Sequence, residues 1–316
     1  MIMKAVILDS ATLGDDIDFS EFSELAQTEV YGTTAQSDVA ERIRDADIVI
    51  VNKIKLGESN LSGSRVRLIC VAATGYDNID TDFCSGEGIC VCNVPGYSAD
   101  SVAQLTLAIV LELAMHMREY TEFVRSGDYS AGGIANKLSP TFHELSGMVW
   151  GLVGYGAIGQ RVAKIAEAFG CRVIVNKRSK VSGAECVSLD ELCEKSDIIT
   201  LHTPLSTETK GLIGRRELSL MKKDVILVNA ARGAVTDEAA VADAVKNGTI
   251  GAFGSDVYSV EPFGVAHPMY AIKDFDNVCL TPHMAWGAYE ARVRGMNIIK
   301  ENIVCFLLGK PQNRVN

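Results

Sequence analysis

Three side chains in the second half of the chain are of types that could act on a carbonyl group: Arg232, Glu261 and His283. A guanidinium group can hold a carboxylate and polarise an adjacent ketone oxygen at the same time. An imidazole can donate a proton to that oxygen near neutral pH, and a carboxylate beside it would hold the imidazole in one tautomer. Considered alone, each of the three could also be a structural or surface residue. As a set, they predict acid–base chemistry on a small acid that carries a carbonyl group.

The elements that would position these side chains are short strands rich in β-branched residues, each followed by polar residues. Four such strands are predicted at residues 198–201, 226–229, 251–256 and 278–281. His202, Arg232, Glu261 and His283 follow these strands in turn. In open parallel sheets, ligands bind beyond the carboxyl ends of the strands. We therefore expect the three candidate residues to share one edge of one sheet.

A glycine-rich turn precedes these strands and predicts a dinucleotide site. Residues 149–159 read VWGLVGYGAIG, an apolar strand that runs into Gly154, Gly156 and Gly159 and then into a helical pattern. The first glycine permits the tight turn, the second lets the backbone approach a pyrophosphate, and the third lets helix and strand pack closely. A second strand at 171–176 completes the context. The alternative is a glycine-rich packing turn in an unrelated α/β domain.

The end of the second strand indicates which phosphate state of the coenzyme is bound. Sites for NAD usually place an acidic residue there, to bind the ribose hydroxyls. This chain instead has the basic run NKRSK at residues 176–180. Lys177, Arg178 and Ser179 would attract and hydrogen-bond a 2′-phosphate, which predicts a preference for NADP(H). The alternative is a solvated basic loop, with NAD bound through Asn176.

The composition argues against several other functions. The 316 residues are 47% hydrophobic and 22% charged, and the formal net charge of −10 disfavours binding to nucleic acids or to an anionic membrane. The nine cysteines form no C-x-x-C pair and show no metal-ligand spacing, so we expect reduced thiols and no metal. The N-terminus lacks the features of a signal peptide, and we expect a cytoplasmic protein.

The first hundred residues alternate predicted strands with helical or turn-like segments. The strands are predicted at 5–8, 47–51, 68–72 and 89–93, and the helical segments at 19–27, 37–44 and 80–84. A long helix is predicted over 98–124 and an amphipathic helix over 289–308. This alternation is typical of a parallel sheet covered on both faces, so an α/β domain is expected before the dinucleotide-binding one. The last helix is expected to return to that first domain.

Seven segments resemble those of the D-isomer-specific 2-hydroxyacid dehydrogenases, and they occur in the same order. They are residues 72–80 (AATGYDNID), 93–98 (NVPGYS), 149–159, 202–205 (HTPL), 229–233 (NAARG), 256–262 (DVYSVEP) and 281–286 (TPHMAW). The resemblance extends over nearly the whole chain. The turn at 93–98 and the Met-Ala-Trp sequence after His283 look most similar to the glycerate dehydrogenase and hydroxypyruvate reductase branch.

The resemblance implies a two-domain α/β fold with the active site in the cleft between the domains. Residues 1–98 with 287–316 would form a flavodoxin-like substrate domain, and residues 99–286 a Rossmann-type NAD(P)-binding domain. Arg232, Glu261 and His283 would be the catalytic residues, and Thr74, Gly75 and Tyr76 would bind the substrate carboxylate together with Arg232. The implied cofactor contacts are Gly154, Tyr155, Gly156, Ala157, Ile158, Gly159, Lys177, Arg178, Ser179, His202, Thr203, Pro204, Ala230, Ala231, Asp256 and His283.

The implied activity is the reduction of a 2-keto acid to a D-2-hydroxy acid with NAD(P)H, or its reverse, with hydroxypyruvate or glyoxylate as the favoured substrates. NAD-dependent members have aspartate where this chain has Lys177, so NADP(H) is favoured. Glu261 argues against formate dehydrogenases of this fold, which carry glutamine there. The alternatives are a D-lactate or aromatic D-2-hydroxyacid dehydrogenase and a dinucleotide-sensing regulator. The resemblance also implies a homodimer through the cofactor domain.

Overall fold

A computed structural model describes residues 3–179 and 183–316 of the chain. Lys180, which belongs to the predicted basic run, lies outside the described residues. The chain divides into two compact units: Met1–Ser98 with Gly287–Asn316 form the first, and Ala99–Trp286 form the second.

The regular elements alternate along both units. The strands are β1 (Lys4–Ile7), β2 (Gln27–Val30), β3 (Ile48–Val51), β4 (Leu68–Val71), β5 (Cys90–Cys92), β6 (Val149–Val153), β7 (Arg172–Asn176), β8 (Glu185–Cys186), β9 (Ile198–Leu201), β10 (Ile226–Asn229), β11 (Ala252–Ser255) and β12 (Val278–Leu280). The helices are α1 (Val39–Ile43), α2 (Glu58–Leu61), α3 (Thr81–Gly86), α4 (Ala99–Ala114), α5 (Met117–Arg125), α6 (Asp128–Ala131), α7 (Ala157–Ala168), α8 (Leu189–Lys195), α9 (Arg215–Leu220), α10 (Glu238–Lys246) and α11 (Tyr289–Leu307).

The first unit contains a five-stranded sheet in the order β2-β1-β3-β4-β5. All of its strand pairs are parallel, and this order is the flavodoxin-like one. The central strands β3 and β4 are fully buried, as their uninterrupted runs of Ile, Val, Leu and Cys require. The order reverses between β1 and β3, so ligands of this unit are expected at the carboxyl ends of these two strands.

The second unit contains a seven-stranded parallel sheet in the order β12-β11-β10-β9-β6-β7-β8. Its first six strands in chain order follow the doubly wound arrangement of dinucleotide-binding domains, and β12 extends one edge. The order reverses between β6 and β9. The predicted glycine turn follows β6, and the predicted His-Thr-Pro segment follows β9. Both therefore lie at the topological switch point, and the two sheets confirm the predicted fold class.

Two predicted helices differ from the observed elements. The long helix predicted over 98–124 is broken into α4 and α5, because His116 adopts a left-handed conformation with φ of 52°. The segment predicted as helical or turn-like over 19–27 forms a 3-10 turn at Ser20–Glu24, and strand β2 then begins at Gln27. Because β2 lies at the edge of the sheet and is mostly exposed, it carries little of the apolar alternation that would identify a strand.

Among the helices in the described part of the chain, none is by itself long and apolar enough to cross a bilayer. Helices α4 and α5 meet that criterion only when taken together, and they are bent by 65° at their junction. Helix α4 packs against β10, β11 and α7 and carries buried residues such as Ile109 and Val110, as expected of a core helix.

Candidate active site

The imidazole of His283 and the carboxylate of Glu261 form a short hydrogen bond. Nδ1 of His283 lies 2.6 Å from Oε2 of Glu261, while Oε1 of Glu261 accepts the backbone N–H of Tyr258 at 2.9 Å. Since the ionised carboxylate can only accept, Nδ1 of the imidazole carries a hydrogen. The two predicted partners, 22 residues apart in sequence, are thus brought together.

Asp256 holds the turn that presents His283. One carboxylate oxygen accepts the hydroxyl of Thr281 at 2.6 Å and the N–H of Met284 at 2.8 Å, and the other accepts the N–H of Ala285 at 2.8 Å. Burial raises the pKa of the Asp256 carboxyl, and these three hydrogen bonds oppose that rise. His283 itself has a positive φ of 53°, a conformation that the anchored turn imposes. Asp256 therefore positions the His283 turn, and its predicted contact with the cofactor stays a prediction.

Arg232 lies in the loop after β10 with an extended backbone and a half-buried side chain. The loop is shaped by Asn229, whose amide donates to the Arg232 carbonyl at 2.9 Å and accepts the N–H of Ala231 at 3.1 Å. One guanidinium nitrogen of Arg232 also donates to the carbonyl of Ala231 at 2.8 Å. Strand β10 pairs with β11, and β11 pairs with β12, so Arg232, Glu261 and His283 all follow neighbouring strands at one edge of the sheet.

The glycine turn abuts the end of β9. Gly154 has a φ of 97°, and a Cβ atom there would lie 2.7 Å from the backbone carbonyl of His202. Gly156 has open space around it, and it precedes α7 directly. The first N–H groups of this twelve-residue helix have no partner within the helix, and the helix begins directly after the turn. The glycine turn and the first N–H groups of α7 together match what a pyrophosphate requires.

His202 supplies a second observation that fits a dinucleotide. Its Nε2 lies 3.0 Å from the hydroxyl of Thr200, and that hydroxyl accepts the indole N–H of Trp150 at 3.1 Å. Burial lowers the pKa of His202 to about 3, so the imidazole is neutral. Within the described residues, its buried Nδ1 has no hydrogen-bond partner. A polar ligand at the switch point would satisfy this atom, and the residues present therefore fit the coenzyme.

The other predicted cofactor residues lie in the same loops or, for Ala157 and Ile158, in the first turn of α7. Tyr155, Ala157 and Ile158 follow β6, Thr203 and Pro204 follow β9, and Ala230 and Ala231 follow β10. Lys177, Arg178 and Ser179 follow β7 and are exposed. Arg178 lies 3.5 Å from Glu208, and both side chains are largely solvated, so this pair contributes little stability. The amide of Asn176 donates to the carbonyl of Val187 at 3.1 Å.

The predicted carboxylate-binding residues lie in the first unit, after β4. Thr74 donates its hydroxyl to the carbonyl of Val94 at 2.8 Å, and its own carbonyl accepts the amide of Asn93 at 2.8 Å. These bonds hold the backbone of the loop, so its role would rest on the N–H groups rather than on the Thr74 hydroxyl. The assignment of Thr74, Gly75 and Tyr76 to the substrate carboxylate stays a prediction.

Several supporting polar groups were not predicted from the sequence. Asp9 is buried at the end of β1 and accepts the N–H groups of Asn52 at 2.9 Å and Lys53 at 2.6 Å, which holds the loop after β3. Glu238 and His267 are also buried, behind the loop that carries Glu261. The position of Asp9 directly after an apolar strand was an available signal, whereas nothing local marks Glu238 or His267.

The chain is similar to one known protein family and to several characterised proteins. Residues 107–285 match the family model described as D-isomer specific 2-hydroxyacid dehydrogenase, NAD binding domain. The hydroxypyruvate reductase of Blautia hydrogenotrophica is 36% identical over 324 residues, with 99% of this chain and 100% of that protein covered. The glycerate dehydrogenase of Methylorubrum extorquens is 34% identical over 317 residues, with 100% and 99% covered. An acyclic imino acid reductase solved with NADPH and D-Arg has a TM-score of 0.87 and 30% identity, with 99% and 100% covered.

The chain therefore belongs to the D-isomer-specific 2-hydroxyacid dehydrogenase family. It is an oxidoreductase that acts on the CH–OH group of D-2-hydroxy acids and uses NAD(P)(H). The predicted family and cofactor class are confirmed.

Proposed function

We propose that this enzyme is a hydroxypyruvate or glyoxylate reductase, with Arg232, Glu261 and His283 as its catalytic residues. The relatives named hydroxypyruvate reductase and glycerate dehydrogenase, which match over the full chain length, support the substrate class. The observation that carries the roles of the residues is the 2.6 Å hydrogen bond between Nδ1 of His283 and Oε2 of Glu261.

The proton is delivered by His283. When the imidazole is protonated, Nδ1–H stays on Glu261 and Nε2–H donates to the keto oxygen of the substrate. As negative charge develops on that oxygen, the Nε2 proton moves to it, and the imidazole is left as the neutral Nδ1–H tautomer that Glu261 already favours. A bound nicotinamide coenzyme supplies the hydride to the substrate's C2.

Arg232 holds and polarises the substrate. Its planar guanidinium presents parallel N–H donors, which match the two oxygens of a carboxylate. The same group stabilises the charge that develops on the adjacent carbonyl oxygen. The Asn229 side chain bonds to the backbone of the loop that carries Arg232, so this loop is held in place before the substrate binds.

The test is the oxidation of NADPH and NADH by the purified protein, followed by absorbance, with hydroxypyruvate, glyoxylate, pyruvate and phenylpyruvate. We expect the largest kcat/KM with hydroxypyruvate or glyoxylate. A preference for pyruvate or phenylpyruvate would support the same reaction but assign the enzyme as a D-lactate or an aromatic D-2-hydroxyacid dehydrogenase. Dinucleotide binding without turnover on any keto acid would contradict the proposal and favour a sensor.

We further propose that the enzyme prefers NADP(H). Lys177, Arg178 and Ser179 are all exposed at the end of β7, where a 2′-phosphate would lie, and the side chain of Asn176 is engaged with Val187. A cationic and hydroxyl-bearing loop of this kind favours a phosphate over a pair of ribose hydroxyls.

Replacing Lys177 with aspartate should lower the ratio of kcat/KM for NADPH to that for NADH by roughly tenfold or more, because a charge-assisted hydrogen bond is lost and a repulsion is gained. Lys164→Asp, an equally exposed change on α7, is the control and should leave the ratio unchanged. A wild-type enzyme that prefers NADH would contradict the proposed coenzyme preference.

We also propose a homodimer that acts in the cytoplasm. Helix α5 buries none of its residues, and the segment after it exposes Ile134 and Leu138 at 68% and 75%. Large apolar side chains that are exposed near one another in the chain are typical of a surface that a second copy covers. All nine cysteines are free thiols, in keeping with a reducing compartment.

The double variant Ile134→Asp/Leu138→Asp should convert the dimer to a monomer, because two charges would be buried at the interface without partners. Light scattering coupled to size-exclusion chromatography measures the mass directly. Leu308→Asp is the control, since Leu308 is 72% exposed in the first unit. A monomeric wild-type protein would refute the dimer.

A further inference from the structure

A polar cluster built on a buried glutamate lies behind the loop that carries Glu261. It consists of Glu238, the first residue of α10, with Ser259 and His267. Oε1 of Glu238 accepts the backbone N–H of Ser259 at 3.0 Å, and Oε2 accepts the Ser259 hydroxyl in a short hydrogen bond. Nε2 of His267 lies 3.1 Å from the same Oε2. One carboxylate therefore meets three donors, and the side chains of Glu238 and His267 are 9% and 8% exposed.

The protonation of this cluster follows from its partners. Nδ1 of His267 accepts the backbone N–H of Met269 at 3.3 Å, so it carries no hydrogen. The hydrogen of the neutral ring is then on Nε2, where it is donated to Glu238. Glu238 in turn accepts from every side, which requires the ionised carboxylate. Nε2 of His267 also lies 3.3 Å from the hydroxyl of Ser259, so the three side chains form one hydrogen-bonded cluster.

Glu238 and Glu261 each accept a hydrogen bond from one of two neighbouring backbone N–H groups. Glu261 accepts the N–H of Tyr258 at 2.9 Å, and Glu238 accepts the next N–H along the chain, that of Ser259. The hydroxyl of Tyr258 donates to the carbonyl of Thr281 at 2.8 Å, in the turn that leads to His283. A shift of the 258–259 backbone would therefore move Glu261 relative to His283.

The same backbone also supports the loop of Arg232. A Cβ atom on Gly233 would lie 2.0 Å from the carbonyl carbon of Tyr258 and 2.2 Å from the nitrogen of Ser259. Only a glycine permits this approach. The peptide that Glu238 holds is thus in contact with the residue that follows the substrate-binding arginine.

We propose that Glu238 is a positioning residue for the reaction: through Ser259 and His267 it holds the 258–261 loop so that Glu261 meets Nδ1 of His283. This inference rests on the proposed roles of Glu261 and His283. Ser259 and His267 share the role, since both are donors to the Glu238 carboxylate.

The decisive variant is Glu238→Gln. The amide has one acceptor oxygen for three donors, and its NH2 group would face a donor, so the loop must move. A misplacement of catalytic groups by about 1 Å lowers turnover by up to roughly 100-fold, and we expect kcat to fall by roughly 10- to 100-fold. KM for the keto acid should change little, and the dissociation constant of NADPH should not change. Asp243→Asn, on the exposed side of the same helix, is the matched control.

A double-mutant cycle separates positioning from a general loss of stability. If Glu238 acts through Glu261, the Glu238→Gln change should have an effect of less than about twofold on kcat when Glu261 is already glutamine. If the two substitutions lower kcat independently, so that their effects multiply, or if the affinity for NADPH falls in parallel, the inference would be overturned. Ser259→Ala removes only the hydroxyl donor and should lower kcat a few-fold, which keeps the inference testable if Glu238→Gln does not fold.

A readout without turnover distinguishes this inference from the proposed function. The Nδ1 proton of His283, shared with Glu261 over 2.6 Å, should give a far-downfield proton resonance in the enzyme without coenzyme. Glu238→Gln should broaden this resonance or shift it upfield, whereas Asp243→Asn should not. An unchanged resonance with an unchanged kcat would overturn the positioning role alone. A wild-type enzyme inactive on every keto acid would refute the proposed function.

Discussion

Replacement of His283 by asparagine should lower kcat for keto-acid reduction by roughly 10²- to 10⁴-fold, the range that a positioned general acid contributes. Asparagine cannot deliver a proton, so the developing alkoxide would depend on water. Asparagine is also the better choice than alanine, because position 283 has a φ of 53° and asparagine adopts this left-handed conformation with little strain.

The binding of NADPH by this variant, followed by fluorescence, should be close to that of the wild type. His143→Asn is the matched control, since His143 is exposed and lies outside the loops at the sheet edge. Turnover near the wild-type value in His283→Asn would contradict the assignment of the proton donor. A parallel loss of NADPH binding would indicate instead that the 281–285 turn has collapsed.

Replacement of Arg232 by alanine should lower kcat/KM for the keto acid by roughly 30- to 4,000-fold, because removing one partner of a desolvated charge pair costs about 2–5 kcal/mol. Both constants should change. KM should rise because the guanidinium no longer binds the two carboxylate oxygens, and kcat should fall because its positive charge no longer stabilises the carbonyl oxygen. Arg232→Lys should recover only part of the loss, because an ammonium group cannot bind both oxygens in one plane.

The amide analogue of the keto acid provides a sharper comparison. The wild-type enzyme should strongly prefer the acid over the amide, and Arg232→Ala should abolish most of this preference, because the charge that recognises the carboxylate is gone. Arg215→Ala is the control, since Arg215 forms an exposed pair with Asp243. An unchanged acid-to-amide ratio in Arg232→Ala would show that another group recognises the carboxylate.

The succession of strands along the chain, and the polar residues that follow them, could be predicted from the sequence. The strands predicted at 198–201 and 226–229 match β9 and β10, and the predicted helix over 289–308 matches α11 to within one residue. These elements are buried, so their apolar pattern is strong. The edge strand β2 was missed, and the helix over 98–124 was predicted without its break at His116, because the break depends on one residue's backbone conformation and not on hydrophobic periodicity.

The supporting cluster behind the catalytic loop could not be predicted in the same way. A glutamate at the first position of a helix is usually exposed and interacts with the helix dipole. Glu238 is instead turned inward, because the close approach at Gly233 brings Ser259 within reach of its carboxylate. This contact spans 21 residues, and no local pattern in the sequence indicates it.

The sequence by itself determined the fold class and the dinucleotide fingerprint, and it predicted Arg232, Glu261 and His283 as the catalytic residues, because each depends on local spacing or on a position just after a strand. Only the tertiary structure decided how these groups are held. Asp256 supports the His283 turn, Glu238 supports the Glu261 loop, and the backbone of His202 lies against Gly154. These relations depend on which loops are adjacent in space, and that adjacency follows from the strand order and the packing of the sheet rather than from any segment of the chain.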